Sequence, residues 1–199
     1  MKISIVTAAF RAEHMTRVAE SIKKQTFKNW EWIIVNDGQP EIRDWWGENH
    51  SILPNMRFID ISWCKGRFGL YARNMGAMAA NSEHIVFLDD DNEWKSDHLS
   101  SMVDIEEKTG KTPYCWMHYK GKKPGSTFER IKKTGFSRQG IDLGCMLYRR
   151  EYFEKHGYIR DDAQVTFDWN MIERIVKGEG VEKFICTRKP SLIFWHKRY

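Results

Sequence analysis

Along the first hundred positions the chain switches repeatedly between two spacings of apolar residues. The run KISIVTA at 2–8 is continuous and β-rich, whereas HMTRVAESIKKQ at 14–25 sets Met15, Val18, Ala19 and Ile22 at i, i+3, i+4 and i+7. The first spacing predicts a buried strand and the second a helix with one apolar face. EWIIVND at 31–37 predicts a second strand that ends in an Asp37-Gly38 turn. EIRDWWGENHSIL at 41–53 predicts a weak helix, and MRFIDIS at 56–62 a third strand. GLYARNMGAMAAN at 69–81 predicts a helix whose small residues allow close packing, followed by the strand HIVFL at 84–88. A helix over 96–108 would start with Ser96 as its N-cap. Strand–helix alternation of this kind predicts an α/β fold: a Rossmann-like, mostly parallel sheet flanked by helices.

Beyond residue 110 the rhythm changes. TPYCWMHYK at 112–120 and DLGCMLYRR at 142–150 are predicted strands with a basic loop between them. TFDWNMIERIVKG at 166–178 is a predicted helix with Phe167, Met171, Ile172, Ile175 and Val176 inward, and VEKFICT and SLIFWHK are two closing strands. With no Pro- or Ser-rich linker, residues 1–199 are expected to form one body. Its expected halves are a nucleotide-binding 1–110 and a smaller, mixed acceptor-side 111–199.

Composition changes this picture little. At 199 residues, 41% hydrophobic and 14% aromatic, the chain is large enough for a real core and too apolar for disorder. No run approaches the ~20 apolar residues of a membrane span. The N-terminus enters a strand at once without a leader-like apolar stretch, and the four cysteines form no C-x-x-C pair. Reduced thiols and a cytoplasmic location are therefore expected. The net charge of +5 is concentrated at 119–133, where basic residues adjoin Tyr114, Trp116 and Tyr119. A solvated loop or hairpin is the plain reading of such a run, and an anionic partner the sharper one, a nucleic acid being the weaker version of it.

The candidate chemistry lies in HIVFLDDDNEW at 84–94, where a buried strand runs into Asp89, Asp90 and Asp91. Adjacent carboxylates repel, and each partly buried one costs several kcal/mol unless compensated. Either they fan out into water, or they meet cations. Thr7 and Asp37 close the other two strands on the same edge, where open α/β sheets bind ligands. There is no G-x-x-x-x-G-K-[ST] and no G-x-G-x-x-G after the first strand, which removes the phosphate-loop and dinucleotide readings. Carboxylates facing a phosphate need a divalent ion, and oxygen ligands select Mg²⁺ or Mn²⁺.

The ordered set ISIVTAAFR, SIKKQTFKNWEWIIVNDG, GLYARNMGAMAANSEHIVFLDDDN, covering residues 1 to 94, resembles the nucleotide-sugar half of GT-A-fold glycosyltransferases of family 2. The resemblance implies that Thr7, Ala8 and Phe10 at the first strand's end, with Asp37, hold a nucleotide sugar, expected to be a UDP-sugar. It adds Arg73, and Asp89 or Asp90 at the ribose, and makes Asp91 a ligand of Mn²⁺ or Mg²⁺. TFDWNMIERI resembles the family's helix that starts on the catalytic acid, implying Asp168 as general base. SLIFWHKRY resembles a terminal segment that often carries a histidine, implying His196 at the metal or diphosphate. One residue departs from the pattern: Phe167 stands where the family usually has a second acid. The implied reaction is metal-dependent, inverting transfer of a sugar to an acceptor hydroxyl, on a glycan or other compound that the basic segment suggests is anionic. A nucleotidyltransferase acting on a sugar phosphate and a non-catalytic nucleotide-binding module are the alternatives. Trp94 and Trp169 read equally as sugar-stacking rings or as core.

Overall fold

The structure is a computed structural model that describes residues 1–61, 69–121, 129–137, 140–161 and 167–196, without the side chains of Glu129, Phe167 and His196. Its first half alternates as the apolar spacing predicts: β1 (Ile3–Ala9), α1 (Ala12–Lys23), β2 (Trp30–Asn36), α2 (Pro40–Asn49), β3 (Met56–Asp60), α3 (Leu70–Ala79) and β4 (His84–Phe87). The chain then forms β5 (Asn92–Trp94), α4 (His98–Thr109), β6 (Thr112–Gly121), β7 (Glu129–Lys132), β8 (Tyr148–Arg149), α5 (Arg150–His156), α6 (Phe167–Glu179) and β9 (Phe184–His196).

Two sheets result. The larger has the order β3-β2-β1-β4-β8, parallel over its first four strands and antiparallel at β8. Every residue of β1 and β2 is buried, as expected of strands covered on both faces. The smaller has the order β5-β9-β6-β7, with β6 and β9 parallel. The sheets exchange strands between the two halves of the sequence: β5 comes from the first and β8 from the second. The triple aspartate sits where the chain leaves β4 of one sheet for β5 of the other. That placement fixes the site.

Helix α3 approaches β1 and β2 closely because of its small residues. A Cβ on Gly76 would lie 2.3 Å from Val6 Cγ1 and 3.1 Å from Val35 Cγ2. Gly69, at φ +73°, starts the helix in a left-handed conformation, with its Cα side against Ala8. Helix α6 is anchored at the opposite end. Its Glu179 accepts from Lys155 Nζ at 2.7 Å and His156 Nε2 at 2.6 Å, both on α5, and from Lys183 Nζ at 3.0 Å. Arg174 of α6 donates to the carbonyls of His156 and Tyr158 at 3.1 and 2.6 Å. These contacts hold the helix whose first turn carries Asp168.

Several expectations are corrected. Helix α4 starts at His98 with Asp97 at its N-cap, not Ser96. The Ser96 carbonyl is engaged instead by the Thr26 amide at 2.9 Å, and Asp97 accepts from Lys189 Nζ. The strand expected over 142–150 is broken by a 3-10 turn, Leu143–Cys145, because the Asp142 carboxylate captures the Gly144 amide at 2.8 Å and winds the backbone. Only Tyr148–Arg149 pairs with β4. The two closing strands are one 13-residue strand, β9, which absorbs a bulge against β6 and a positive φ at Arg188. Trp94 is core: it is buried and stacks on His98 at 4.5 Å. Trp169 packs half-buried against the core. In the basic segment, Met117–Lys120 of β6 pair antiparallel with Glu129–Lys132 of β7, and residues 122–128 lie outside the described residues. Cys115 and Cys145 are both fully buried free thiols.

Two stability predictions follow from this packing. Gly76→Ala gains about 1 kcal/mol of helix propensity but overpacks α3 on the sheet. A net loss of about 1–3 kcal/mol is expected in urea unfolding, and a gain would show that the helix can shift. Lys155 first, then His156, hold Glu179 at about 2, against the opposing effect of burial. A depressed carboxyl stabilises the fold above its unfolded pKa and loses that contribution as pH falls through the folded one. Glu179→Gln should therefore cost about 1–2 kcal/mol at neutral pH, with the difference vanishing between pH ~4.5 and ~2. A difference constant with pH would place the effect in packing.

Candidate active site

Three strand ends build the site. The Asp37 amide donates to the Ala9 carbonyl at 3.0 Å, and the Leu88 amide to Val6 at 3.0 Å, so β1, β2 and β4 finish side by side. Gly38, at φ +77°, turns the chain out of β2 after Asp37, whose side chain is buried at this edge. Thr7 is buried and its hydroxyl accepts from Trp32 Nε1 at 3.0 Å, so its side chain serves the core. Ala8 is almost fully covered, whereas Phe10 is 48% exposed at the mouth.

The three aspartates fan out to different partners. Asp89 accepts from Arg73 Nε at 3.2 Å and Nη2 at 2.6 Å. Asp90 turns inward: its Oδ2 takes the amides of Phe10 and Arg11, each at 2.8 Å, and its Oδ1 takes the Arg11 guanidinium through Nε at 3.0 Å and through Nη2. Asp91 accepts from Arg11 Nη1 at 2.7 Å and remains partly exposed. Burial opposes the charge of both arginines, yet Asp90 raises the Arg11 pKa and Asp89 that of Arg73. The carboxylates meet the protein's own cations. Asp90 is thereby spent on the backbone that follows β1, which leaves Asp89 and Asp91 as the partly exposed members.

A second group of acids lies beside Arg73. Burial pushes the Asp168 carboxyl up, Arg73 works against that, and Asp89 adds to it. Asp142, at the start of the 3-10 turn, is pushed up to about 7 by burial and then by Asp89 and Asp168. The Gly144 amide and Arg73 act the other way. Tyr148 is completely buried, which holds its proton firmly, and its hydroxyl has no hydrogen-bond partner among the described residues. The structure thus gathers Asp89, Arg73 and Asp168, and it adds two residues that sequence reasoning missed. Arg11 could have been found from the demand of three adjacent carboxylates for counter-charge. Asp142 could have been found as an N-cap, from Asp two residues before Gly144, had the segment not read as a strand.

His196 ends β9, which runs antiparallel to β5 with Phe194 opposite Asn92, so the strand's end heads toward Asp91. The imidazole itself lies outside the described residues. Among the described residues no three His, Cys, Asp or Glu side chains gather as a metal cage.

The family model described as glycosyl transferase family 2 matches residues 4–157. The chain belongs to glycosyl transferase family 2. Its enzyme class is that of the glycosyltransferases. It is 28% identical to the uncharacterized glycosyltransferase YwdF of Bacillus subtilis, over 94% of this chain and 72% of YwdF. It is 32% identical to the Escherichia coli UDP-Glc:alpha-D-GlcNAc-diphosphoundecaprenol beta-1,3-glucosyltransferase WfaP, over 59% of this chain but 45% of WfaP. Staphylococcus aureus TarS shares the fold with a TM-score of 0.78 at 14% identity, over 98% of this chain and 37% of TarS. TarS 1–349 in complex with UDP-GlcNAc gives 0.78 at 14% identity, over all of this chain and 60% of that one. The fold of this family 2 chain is therefore GT-A, and no helix among its described residues is long and apolar enough to cross a membrane.

The inward role of Asp90 carries its own prediction. Asp90→Ala strips the acceptor from two amides and unbalances Arg11, so a loss of about 2–4 kcal/mol is expected. Urea unfolding measures it. A cost below about 0.5 kcal/mol would mean that water replaces the carboxylate.

Proposed function

We propose that this family 2 domain transfers a sugar from a UDP-sugar to an acceptor hydroxyl with inversion. The observation that carries the reading is the position of Asp168. It is a partly accessible carboxylate with a raised pKa, beside Arg73 and Asp89 at the carboxyl edge of the parallel strands. A base held nearer neutrality than an ordinary aspartate suits abstraction of a hydroxyl proton. In support, WfaP is named for UDP-Glc, and TarS, which shares the fold, has been solved with UDP and UDP-GlcNAc.

Each residue then has a task. Asp37 at the β2 turn and the β1 end, Thr7 to Phe10, frame the uracil of the donor. Arg73 fixes Asp89 for the ribose. Asp168 takes the acceptor's proton as its oxygen attacks the anomeric carbon from the face opposite the leaving UDP, which inverts that centre. The donor set suits Mn²⁺ or Mg²⁺: Asp91 offers hard carboxylate oxygen, and such ions take one or two carboxylates and complete their shell with substrate phosphates. Asp91 would hold the ion, with His196 as the expected second ligand. Bound there, it would offset negative charge on the departing diphosphate. The acceptor we propose is anionic. Lys120 lies over the Trp195 ring at 5.9 Å, Arg130 over Tyr119 at 5.5 Å and Lys133 over Trp116 at 5.6 Å, on the sheet of β6, β7 and β9.

Incubation with UDP-sugars, Mn²⁺ and candidate acceptors should release UDP and give product of inverted anomeric configuration, read from proton NMR couplings. Asp168→Asn should lower kcat by ~10²–10⁴ while UDP binding by calorimetry stays unchanged. Retained configuration, or full rate in the variant, would overturn the mechanism.

A further inference from the structure

Two arginines from the connection after β1 hold different parts of Asp91. Arg11 Nη1 donates to its Oδ2 at 2.7 Å, whereas Arg17 Nη2 donates to its main-chain carbonyl at 3.2 Å. Arg17 is braced in turn by Glu93, whose Oε1 lies 3.0 Å from its Nε, and by the Trp195 ring, centred 5.3 Å from its Cζ. The Asp91 backbone is therefore held whatever its carboxylate binds. Arg11 is tied at its other edge. Its amide and that of Phe10 go to Asp90 Oδ2 at 2.8 Å each, and its Nε and Nη2 go to Asp90 Oδ1. The Asp90 side chain is 2% exposed and that of Asp91 17%. The guanidinium thus has one edge on a buried partner and one arm, Nη1, on a carboxylate that water reaches. A planar fork pinned along one edge keeps its other arm aimed. That arm occupies one of the two oxygens Asp91 has for a hard divalent ion, and its charge opposes a second cation at the other.

We propose that Arg11 is a donor-binding residue, resident on Asp91 in the free protein and handed to the diphosphate when Asp91 ligates Mn²⁺ or Mg²⁺. The inference rests on the reading of Asp91 as the metal ligand. Nη1 leaves Oδ2 while Nε and Nη2 stay on Asp90, so the guanidinium remains beside Asp91 with one donor free. A phosphate oxygen is the natural acceptor for that donor, and charge-assisted bonds of this kind are the strong ones. The exchange has two consequences of opposite sign. Before the nucleotide arrives, Arg11 weakens the site for an ion, by engaging its ligand and by like charge. With the nucleotide in place, Arg11 strengthens binding. The bare ion is disfavoured and the ion with a diphosphate is favoured, so the two bind cooperatively. An arginine that only braced Asp91 would instead help the ion in both states.

Arg11→Gln tests this, since both backbone amides remain for Asp90 while the charge is removed. Mn²⁺ binding without nucleotide, followed by the EPR signal of the free ion, should tighten by roughly 3–10-fold in the variant. UDP binding by calorimetry at saturating Mn²⁺ should weaken by roughly 5–30-fold. Opposite shifts are the signature. Loss of both affinities would make Arg11 a permanent clamp, and two unchanged affinities would remove it from the site; either result overturns the proposal. A second readout does not depend on the variant folding. In the wild type, saturating Mg²⁺ should shift the ¹⁵Nη resonances of Arg11 as one nitrogen changes its acceptor, while the Arg11 amide, held by Asp90, moves little. An unmoved guanidinium would overturn the exchange. Asp91→Asn separates this from the metal assignment. If that variant binds Mn²⁺ as tightly as the wild type, the reading of Asp91 falls. If it binds the ion more weakly but Arg11→Gln binds it no more tightly, only the role of Arg11 falls.

Discussion

Everything at this site depends on how three consecutive carboxylates are neutralised. Side by side at the end of a buried strand they would repel one another, and any left uncompensated would cost several kcal/mol. The fold sends each in a different direction. Asp89 reaches across to Arg73 on α3, Asp90 folds back onto the amides and guanidinium that follow β1, and Asp91 leans outward on the second arm of Arg11. Two arginines from two helical connections thereby stitch β4 to β1 and to α3. The crossing from the large sheet to the small one is thereby tied down by ion pairs on both sides.

That arrangement explains the tight packing elsewhere. Arg73 can meet Asp89 only if α3 lies close on β1 and β2, which is why Gly76 faces Val6 and Val35, and Gly69 faces Ala8. Likewise Asp168 can stand near Arg73 only if α6 is held at its far end, which the α5 contacts to Glu179 and Arg174 provide. These restraints are remote from the chemistry in sequence, yet they decide its geometry. Charge balance then divides the labour: Asp90 and Arg11 are largely consumed by structure, while Asp89 and Asp91 stay partly exposed.

Local periodicity made the first half legible. Strands β1, β2 and β4 and helices α1 and α3 declare themselves because each buries a simple run or stripe, and the parallel order follows from their alternation. The same reasoning failed where a side chain overrode the backbone pattern. Asp142 captured the Gly144 amide and turned an apolar, strand-like stretch into a 3-10 turn. Ser96 lost the cap because its carbonyl was claimed by Thr26. The three-residue β5 could not be seen from its own residues, since it exists only as the partner of β9. At the site, Asp89 and Arg73 lie in motifs readable from spacing. Arg11 and Asp142 act on residues about 80 and 26–53 positions away in the sequence, and no local pattern reports that.

The position before Asp168 sharpens the last point. Phe167 supplies no charge there, so a carboxylate adjacent in sequence is not available to act on Asp168. The other acid whose carboxyl feels Asp168 is Asp142, on a different element and in a different environment. An acid one residue away on the same helix turn would share the dipole and solvent exposure of that turn. Asp142 instead sits against the end of the large sheet, with Asp89 and Arg73 already in place and its carboxylate pinned by an amide. Its ionisation is governed by burial first and then by those fixed charges. With Phe167 beside it, Asp168 answers to burial, to Arg73 and to Asp89, all supplied by the fold rather than by its own helix turn.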